Sequence, residues 1–107
     1  MISLAVWNVR GLASWDNLQH AQAALYLKRQ PDLTILTETN LGPEYHGKQD
    51  NLIRGYQCFH SARGTGKGVS MLVRKDSPVT VVKVNTPTVD ALVGRYLCAL
   101  LNIDGTL

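Results

Sequence analysis

The chain has little cysteine and no long hydrophobic run, and each shortage removes a class of protein. Only two cysteines, Cys58 and Cys98, occur in 107 residues. They form no Cys-x-x-Cys pair and no close His/Cys cluster, which argues against a structural zinc module. Both fall inside apolar strand patterns and read as buried free thiols rather than as a disulfide. The longest apolar runs have the length of β-strands, so no transmembrane helix is expected. Met1 leads directly into a strand, without the basic segment and apolar core of a signal peptide. Repeats, linkers and low-complexity tracts are also missing. At 45% hydrophobic and 18% charged residues, the composition is neither disordered nor membrane-like. It suits a single soluble domain or a piece of one.

What is present begins as strand, helix, strand. Alternating and continuous apolar patterns predict strands over residues 2–9, 33–37, 56–62, 68–75, 79–84 and 95–103. A helix is predicted from residue 14 to about residue 29. Ser14 is its N-cap, Asp16 lies in its first turn, and Leu18, Ala21 and Leu25 make one apolar face. Gln30-Pro31-Asp32 stops it, because a residue before proline avoids the helical region. Residues 41–50 read as a polar loop, 51–54 as a single helical turn and 63–67 as a glycine-rich turn. Strands 68–75 and 95–103 are apolar on both faces, which predicts a sheet covered on both sides. The helix can cover one side, and no second element offers cover for the other. The isolated chain is therefore expected to self-associate through the uncovered sheet face.

Two polar residues stand at the ends of the first two strands, Asn8 and Glu38. Strands joined by a helical crossover usually pair in parallel. Both residues would then share the rim where open α/β sheets bind ligands. An amide oxygen beside a carboxylate can start a hard-cation site, since Mg²⁺ takes oxygen ligands and few protein carboxylates. The same residues also fit ordinary strand ends, with Asn8 capping the following turn and Glu38 solvated.

The formal charge of +3 and a pI of about 9.1 suit either a polyanion-binding surface or a solvated surface with a slight basic excess. Arg10, Lys48, Arg63, Lys67, Arg74 and Lys75 fall in or near loops and strand ends. Lys28 and Arg29 end the helix, where they meet its dipole favourably. Other tempting sites fail. Gly64-Thr65-Gly66-Lys67-Gly68 looks like a phosphate loop, yet Ser61 holds the place of the first glycine of that pattern and Gly68 that of its Ser/Thr. His20, His46 and His60 have no metal-ligand spacing and read as surface or half-buried residues. Ser70 has no Gly-x-Ser-x-Gly elbow around it.

Val6-Trp7-Asn8-Val9-Arg10-Gly11-Leu12, followed by Leu36-Thr37-Glu38-Thr39-Asn40, resembles the endonuclease/exonuclease/phosphatase superfamily, whose fold is deoxyribonuclease-I-like. The first stretch is most similar to the endonuclease domains of non-LTR retrotransposons. Gly68-Val69-Ser70-Met71-Leu72-Val73-Arg74 resembles the family's next strand, and Gly94-Arg95-Tyr96-Leu97 the start of the one after it. The resemblance runs through the chain in family order. It implies the N-terminal half of an α/β sandwich, with a mixed sheet and one main helix. It also implies a divalent-metal-dependent phosphodiesterase, a DNA endonuclease of retrotransposon type with DNA and not a membrane as partner. Glu38 would hold Mg²⁺ or Mn²⁺, Asn8 would orient the metal or the scissile phosphate, and Arg10 would touch phosphate. The family's later Tyr, its Asp-x-Asn segment and its closing Asp-His have no counterpart. That histidine is the general base, so the chain alone is expected to be inactive. Two other functions fit the same residues: a non-catalytic half-domain that pairs with another polypeptide, and a family phosphatase acting on a phosphoinositide or sphingolipid headgroup. Ile103-Asp104-Gly105-Thr106 is a hairpin-turn signal with no return strand after it, which predicts a partial domain truncated within a C-terminal hairpin.

Overall fold

Side chains that alternate in and out of a core give seven strands among the described residues, and a computed structural model shows how they layer. Described are residues 2–12, 17–21, 31–63, 67–88 and 92–103. In chain order the strands are β1 (Leu4–Asn8), β2 (Leu33–Thr37), β3 (Gln49–Asp50), β4 (Tyr56–Ser61), β5 (Val69–Arg74), β6 (Val79–Asn85) and β7 (Cys98–Ile103). Five of them form a mixed sheet in the order β1-β2-β5-β4-β3, and β6 and β7 form a separate two-stranded ribbon. β1 and β2 are parallel, and every other pairing is antiparallel. Residues 17–21, between β1 and β2, are helical. Ser14, Asp16, Leu25, Lys28 and Arg29 of the expected helix lie outside the described residues, as does the turn signal at residues 104–106. The fold is thus a small mixed α/β domain, mostly strand with one short helix among the described residues. No helix among them is long and apolar enough to cross a membrane.

The register sorts the core into two layers. One cross-strand row is Ile35, Met71 and Phe59; the next, on the opposite face, is Leu36, Ser70 and His60. On the second face Leu36, Leu72, Cys58 and Tyr56 pack with Leu12, Ala21, Leu41 and Ile53. On the first face Phe59, Met71 and Val73, joined by Leu33 and Ile35, pack against Val79, Val81, Val84, Leu101 and Ile103 of the ribbon. This corrects the expectation of an uncovered sheet face: β6 and β7 supply the cover. The ribbon hid because of an irregularity between Val81 and Lys83, which breaks the two-residue period so that Val84 rather than Lys83 faces inward. The cover stops short of β1, where Leu4 and Val6 are 62% and 69% exposed.

Smaller expectations also change. Residues 51–54 are bends and a turn, not a helical turn. The Asp50 carboxylate accepts the Leu52 N–H (3.1 Å), a side-chain bond that competes with helix formation. The loop at 41–50 holds a 3₁₀ turn at Pro43–Tyr45 and then β3. Cys58 is buried, and burial pushes its thiol up to about 12, so it is inert. Cys98 is exposed rather than buried, on the same face of β7 as exposed Leu100.

The rim opposite Asn8 is closed by Asp32, which is buried just before β2. Its carboxylate accepts the Ser3 N–H (2.8 Å) and the Arg74 Nη2–H (2.8 Å), and Ser3 Oγ accepts the Asp32 N–H (3.0 Å). The Ser3 amide most of all, and then the Arg74 guanidinium, hold this carboxyl below its ordinary 3.8 despite desolvation. A depressed carboxyl stabilises the fold above its unfolded value, and that contribution fades as pH falls through the lower folded value. Asp32→Asn is expected to lower the urea midpoint at neutral pH. The gap from the native chain should shrink on acidification below 3.8. A gap independent of pH would remove Asp32 from the acid response.

Candidate functional site

Pairing continues past the strand ends and builds a layered rim. Asn8, the last residue of β1, pairs with Thr37, the last of β2, so Glu38 is the first residue beyond. Gly11 N–H donates to the Glu38 carbonyl (2.7 Å) and Leu12 N–H to the Thr39 carbonyl (2.7 Å). On the other side Thr39 N–H donates to the Gly68 carbonyl (3.2 Å) and Asn40 N–H to the Lys67 carbonyl (2.8 Å). Because β5 runs against β2, its start lies where β2 ends, and the end of β4 lies there too. The rim therefore joins residues 8–12, 37–40, 61–63 and 67–68.

Arg10, Glu38 and Asn40 have φ of 51°, 54° and 55°, and they are the only non-glycine residues with positive φ among those described. Such backbone costs about 1 kcal/mol or more each and gathers at functional sites. Asparagine tolerates this region, but arginine and glutamate have no local reason to adopt it. Their concentration on one rim is a feature of tertiary structure, and the sequence has no signal for it.

No family model matches the chain, and no curated protein matches it.

The Asn8 side chain does what its capping reading expects: Oδ1 accepts the Arg10 N–H (3.2 Å). An amide oxygen has two lone pairs, so this bond leaves room for a cation or a water. Asn8, Arg10 and Glu38 are all exposed. Among the described residues no group of three His, Cys, Asp or Glu could hold a metal ion. A hollow of about 140 Å³ lined by Trp7, Val9, Asn17, His20 and Ala21 adjoins the rim on the helical side. A larger groove, about 370 Å³, lies elsewhere, between β3, β4 and β6, and Lys48 and Lys83 line it. It has no carboxylate in its lining and no strained residue, so the rim is the better candidate.

Of the other expected cations, Arg74 and Lys75 sit at the opposite rim, where Arg74 pairs with Asp32 and Asp76 at 2.8 Å each. Arg63 and Lys67 lie on the Asn8 rim, and Arg95 joins them. Arg95, then desolvation, then Arg63 hold the Lys67 ammonium below the ordinary lysine value. The sequence separates Lys67 from Arg95 by two whole strands, β5 and β6, and their connections, so only the folded chain brings them together. Residues 64–66 of the phosphate-loop look-alike lie outside the described residues.

His60 corrects the surface reading, for it is 1% exposed. Its Nε2–H donates to the Asp50 carboxylate (3.0 Å to each oxygen), and its Nδ1 shares a hydrogen bond with Ser70 Oγ (2.6 Å). A hydroxyl, an imidazole and a carboxylate in a row resemble nucleophilic machinery. Ser70 is fully buried, however, so no substrate reaches its Oγ. The row instead ties β3, β4 and β5 together. His46 is likewise structural: its Nδ1 accepts the Ala62 N–H (3.1 Å) and its Nε2–H donates to the Pro87 carbonyl (2.8 Å).

Proposed function

We propose that this chain is the N-terminal half of a deoxyribonuclease-I-like α/β sandwich and part of a divalent-metal-dependent phosphodiesterase, a DNA-nicking endonuclease of retrotransposon type. The observation that carries this reading is the rim itself. Asn8 and Glu38 end adjacent parallel strands, and the backbone around them holds three residues in the left-handed region. The sheet with a helical segment on one face and a ribbon on the other agrees with half of such a sandwich.

The chemistry follows from the donors. Glu38 brings the negative charge that a Mg²⁺ or Mn²⁺ ion requires, and Asn8 brings an amide oxygen. This donor set fits Mg²⁺, which binds through one or two carboxylates and keeps several waters. When bound, the cation polarises a phosphoryl oxygen and stabilises the departing oxyanion. Asn8 orients the metal or the scissile phosphate, its own oxygen positioned by the Arg10 amide. Arg10, on the same rim, neutralises phosphate charge. A base for the attacking water has no counterpart on this rim, and its loss costs ~10²–10⁴ in rate.

Nicking of supercoiled plasmid in Mg²⁺ tests the proposal. The 107-residue chain is expected to nick negligibly. A polypeptide joining it to a family second half, with its Asp-x-Asn and Asp-His, is expected to nick. Hydrolysis of a phosphoinositide headgroup in place of DNA would move the same residues to a lipid phosphatase. Failure on both substrates would leave only a non-catalytic half-domain.

A further inference from the structure

The groove of about 370 Å³ between the sheet and the ribbon takes no part in the rim chemistry. Thr80, Val81, Val82, Lys83 and Val84 all line it. Successive side chains of a strand point to opposite faces, so a hollow that touches five in a row lies along the strand's edge. No residue of β7 lines the groove, so this is the edge of β6 that β7 leaves open. No described strand pairs with it. Alternate N–H and C=O groups of β6 point there. Val82 adds to them, because the β7 ladder skips it between Val81 and Lys83.

The opposite wall is fixed in place. Gln57 and Phe59 come from β4 and Gln49 from β3. Lys48 is held to β4, since Gly47 N–H donates to the His60 carbonyl (2.9 Å) and His60 N–H to the Lys48 carbonyl (3.2 Å). A Cβ on Gly47 would lie 3.5 Å from Thr86 Oγ1, which puts Lys48 at the Thr86 end of the groove. His46 closes that end by bonding the Ala62 amide and the Pro87 carbonyl. Phe59, Val81 and Val84 belong to the core and give the groove an apolar floor. The groove follows the chain from Thr80 to Thr86, about 20 Å at ~3.3 Å per residue. A lone anion fills one end of that length, whereas an extended segment of about six residues fills all of it.

Charge selects the segment. Lys48 and Lys83 are exposed, and no carboxylate lines the groove. Among the described residues neither ammonium has an ion pair. Asp50 of β3 is bonded to His60 on the other face of the sheet. A lysine and a bulge on a strand edge deter pairing with other chains. They deter a second copy here, because it would bring its own Lys83 into the same groove. An acidic strand meets no such repulsion, so the deterrent becomes a selector. We propose that β6 is a docking edge for an extended acidic segment of a partner polypeptide, which adds a strand to the ribbon with acidic side chains toward Lys83 and Lys48 and apolar ones over Phe59 and Val84. Main-chain hydrogen bonds give this mode its affinity, and the lysines and the apolar floor give it specificity.

Fluorescence anisotropy of a labelled hexapeptide alternating glutamate and valine, titrated with the full chain, tests it. The counterpart alternating lysine and valine is expected to bind about tenfold more weakly. Lys83→Gln is expected to weaken the acidic peptide about twofold to fivefold, and less at high salt. The Lys48→Glu/Lys83→Glu variant is expected to reverse the preference and favour the lysine peptide, an outcome that a mere loss of folding cannot produce. Both lysines are exposed, so these substitutions leave the core untouched. Methylating every backbone nitrogen of the acidic peptide keeps its charges but removes its donors, and is expected to abolish binding. The readout is binding alone, so a failure of nicking leaves it intact. Equal binding of the two peptides, binding that survives methylation, or no binding by the native chain would overturn the proposal. Displacement of the peptide by glutarate as readily as by unlabelled peptide would make the groove a small-anion pocket instead. Stronger displacement by a DNA duplex would overturn the proposal in favour of nucleic acid. A native dimer that dissociates on adding the peptide would do so in favour of a second copy.

Discussion

Glu38→Ala, in a polypeptide carrying both halves of the site, is expected to lower Mg²⁺-dependent plasmid nicking more than ~100-fold, since disturbing even the partners of metal ligands costs 10–100-fold. Glu38 is the single carboxylate on residues 8–12, 37–40, 61–63 and 67–68, so nothing nearby in those segments can replace its charge. Glu38→Gln separates charge from shape. It keeps side-chain length and a similar demand at φ 54°, and it should be as inactive as the alanine variant. Glu38→Gly would relax the backbone while removing the ligand. High stability together with lost nicking in that variant would mark the strain as serving the carboxylate's position. Asn8→Ala is expected to be milder, about tenfold, because it removes a neutral donor and frees the Arg10 amide to bond water. A Glu38→Gln variant that nicks at the native rate across a Mg²⁺ titration would end the metal assignment.

The first two strands were legible because their apolar runs end abruptly in Asn8 and Glu38, and because a crossover between them leaves little choice but parallel pairing. The β5 pattern was legible for the same reason, with Val69, Met71 and Val73 on one face. What stayed hidden depended on contacts distant in sequence. His60 is buried because Asp50 and Ser70 satisfy both ring nitrogens, and Asp50 belongs to a two-residue strand too short to show a period. The ribbon's role as cover was masked by the irregularity after Val81. Cys98 looked buried because it sits among apolar neighbours, yet the whole first half of β7, Cys98 to Leu100, is exposed. The basic rim requires Gly94 to seat one turn on another, a relation between residues about 30 apart in sequence. The functional reading draws on the order of several short stretches, while the geometry contributes their convergence on one edge of the sheet.

Gly68→Ala is expected to destabilise the chain by about 2–4 kcal/mol, from two separable sources. Gly68 has a φ of 116°, and a methyl group there pays the penalty of a conformation that L-residues rarely adopt. The added Cβ would also overlap Thr39 Oγ1 and meet the Asn40 backbone nitrogen at 3.3 Å. Thr39 is fully buried and its hydroxyl has no hydrogen-bond partner, so it is both unable to move aside and inexpensive to lose. Thr39→Ala should therefore change stability by less than about 1.5 kcal/mol. In the double variant the overlap disappears and the backbone penalty remains, so urea unfolding should recover roughly half the loss, a coupling of about 1–2 kcal/mol. Thr39 follows Glu38 directly, and its N–H is bonded to the Gly68 carbonyl. Gly68→Ala should consequently displace the candidate ligand as well as weaken the fold. In the joined polypeptide its nicking should fall further than its fraction folded, and Thr39→Ala should restore part of both. Strict additivity of the two substitutions, or a Gly68→Ala chain as stable as the native one, would show that Gly68 is not the close contact that sets the rim.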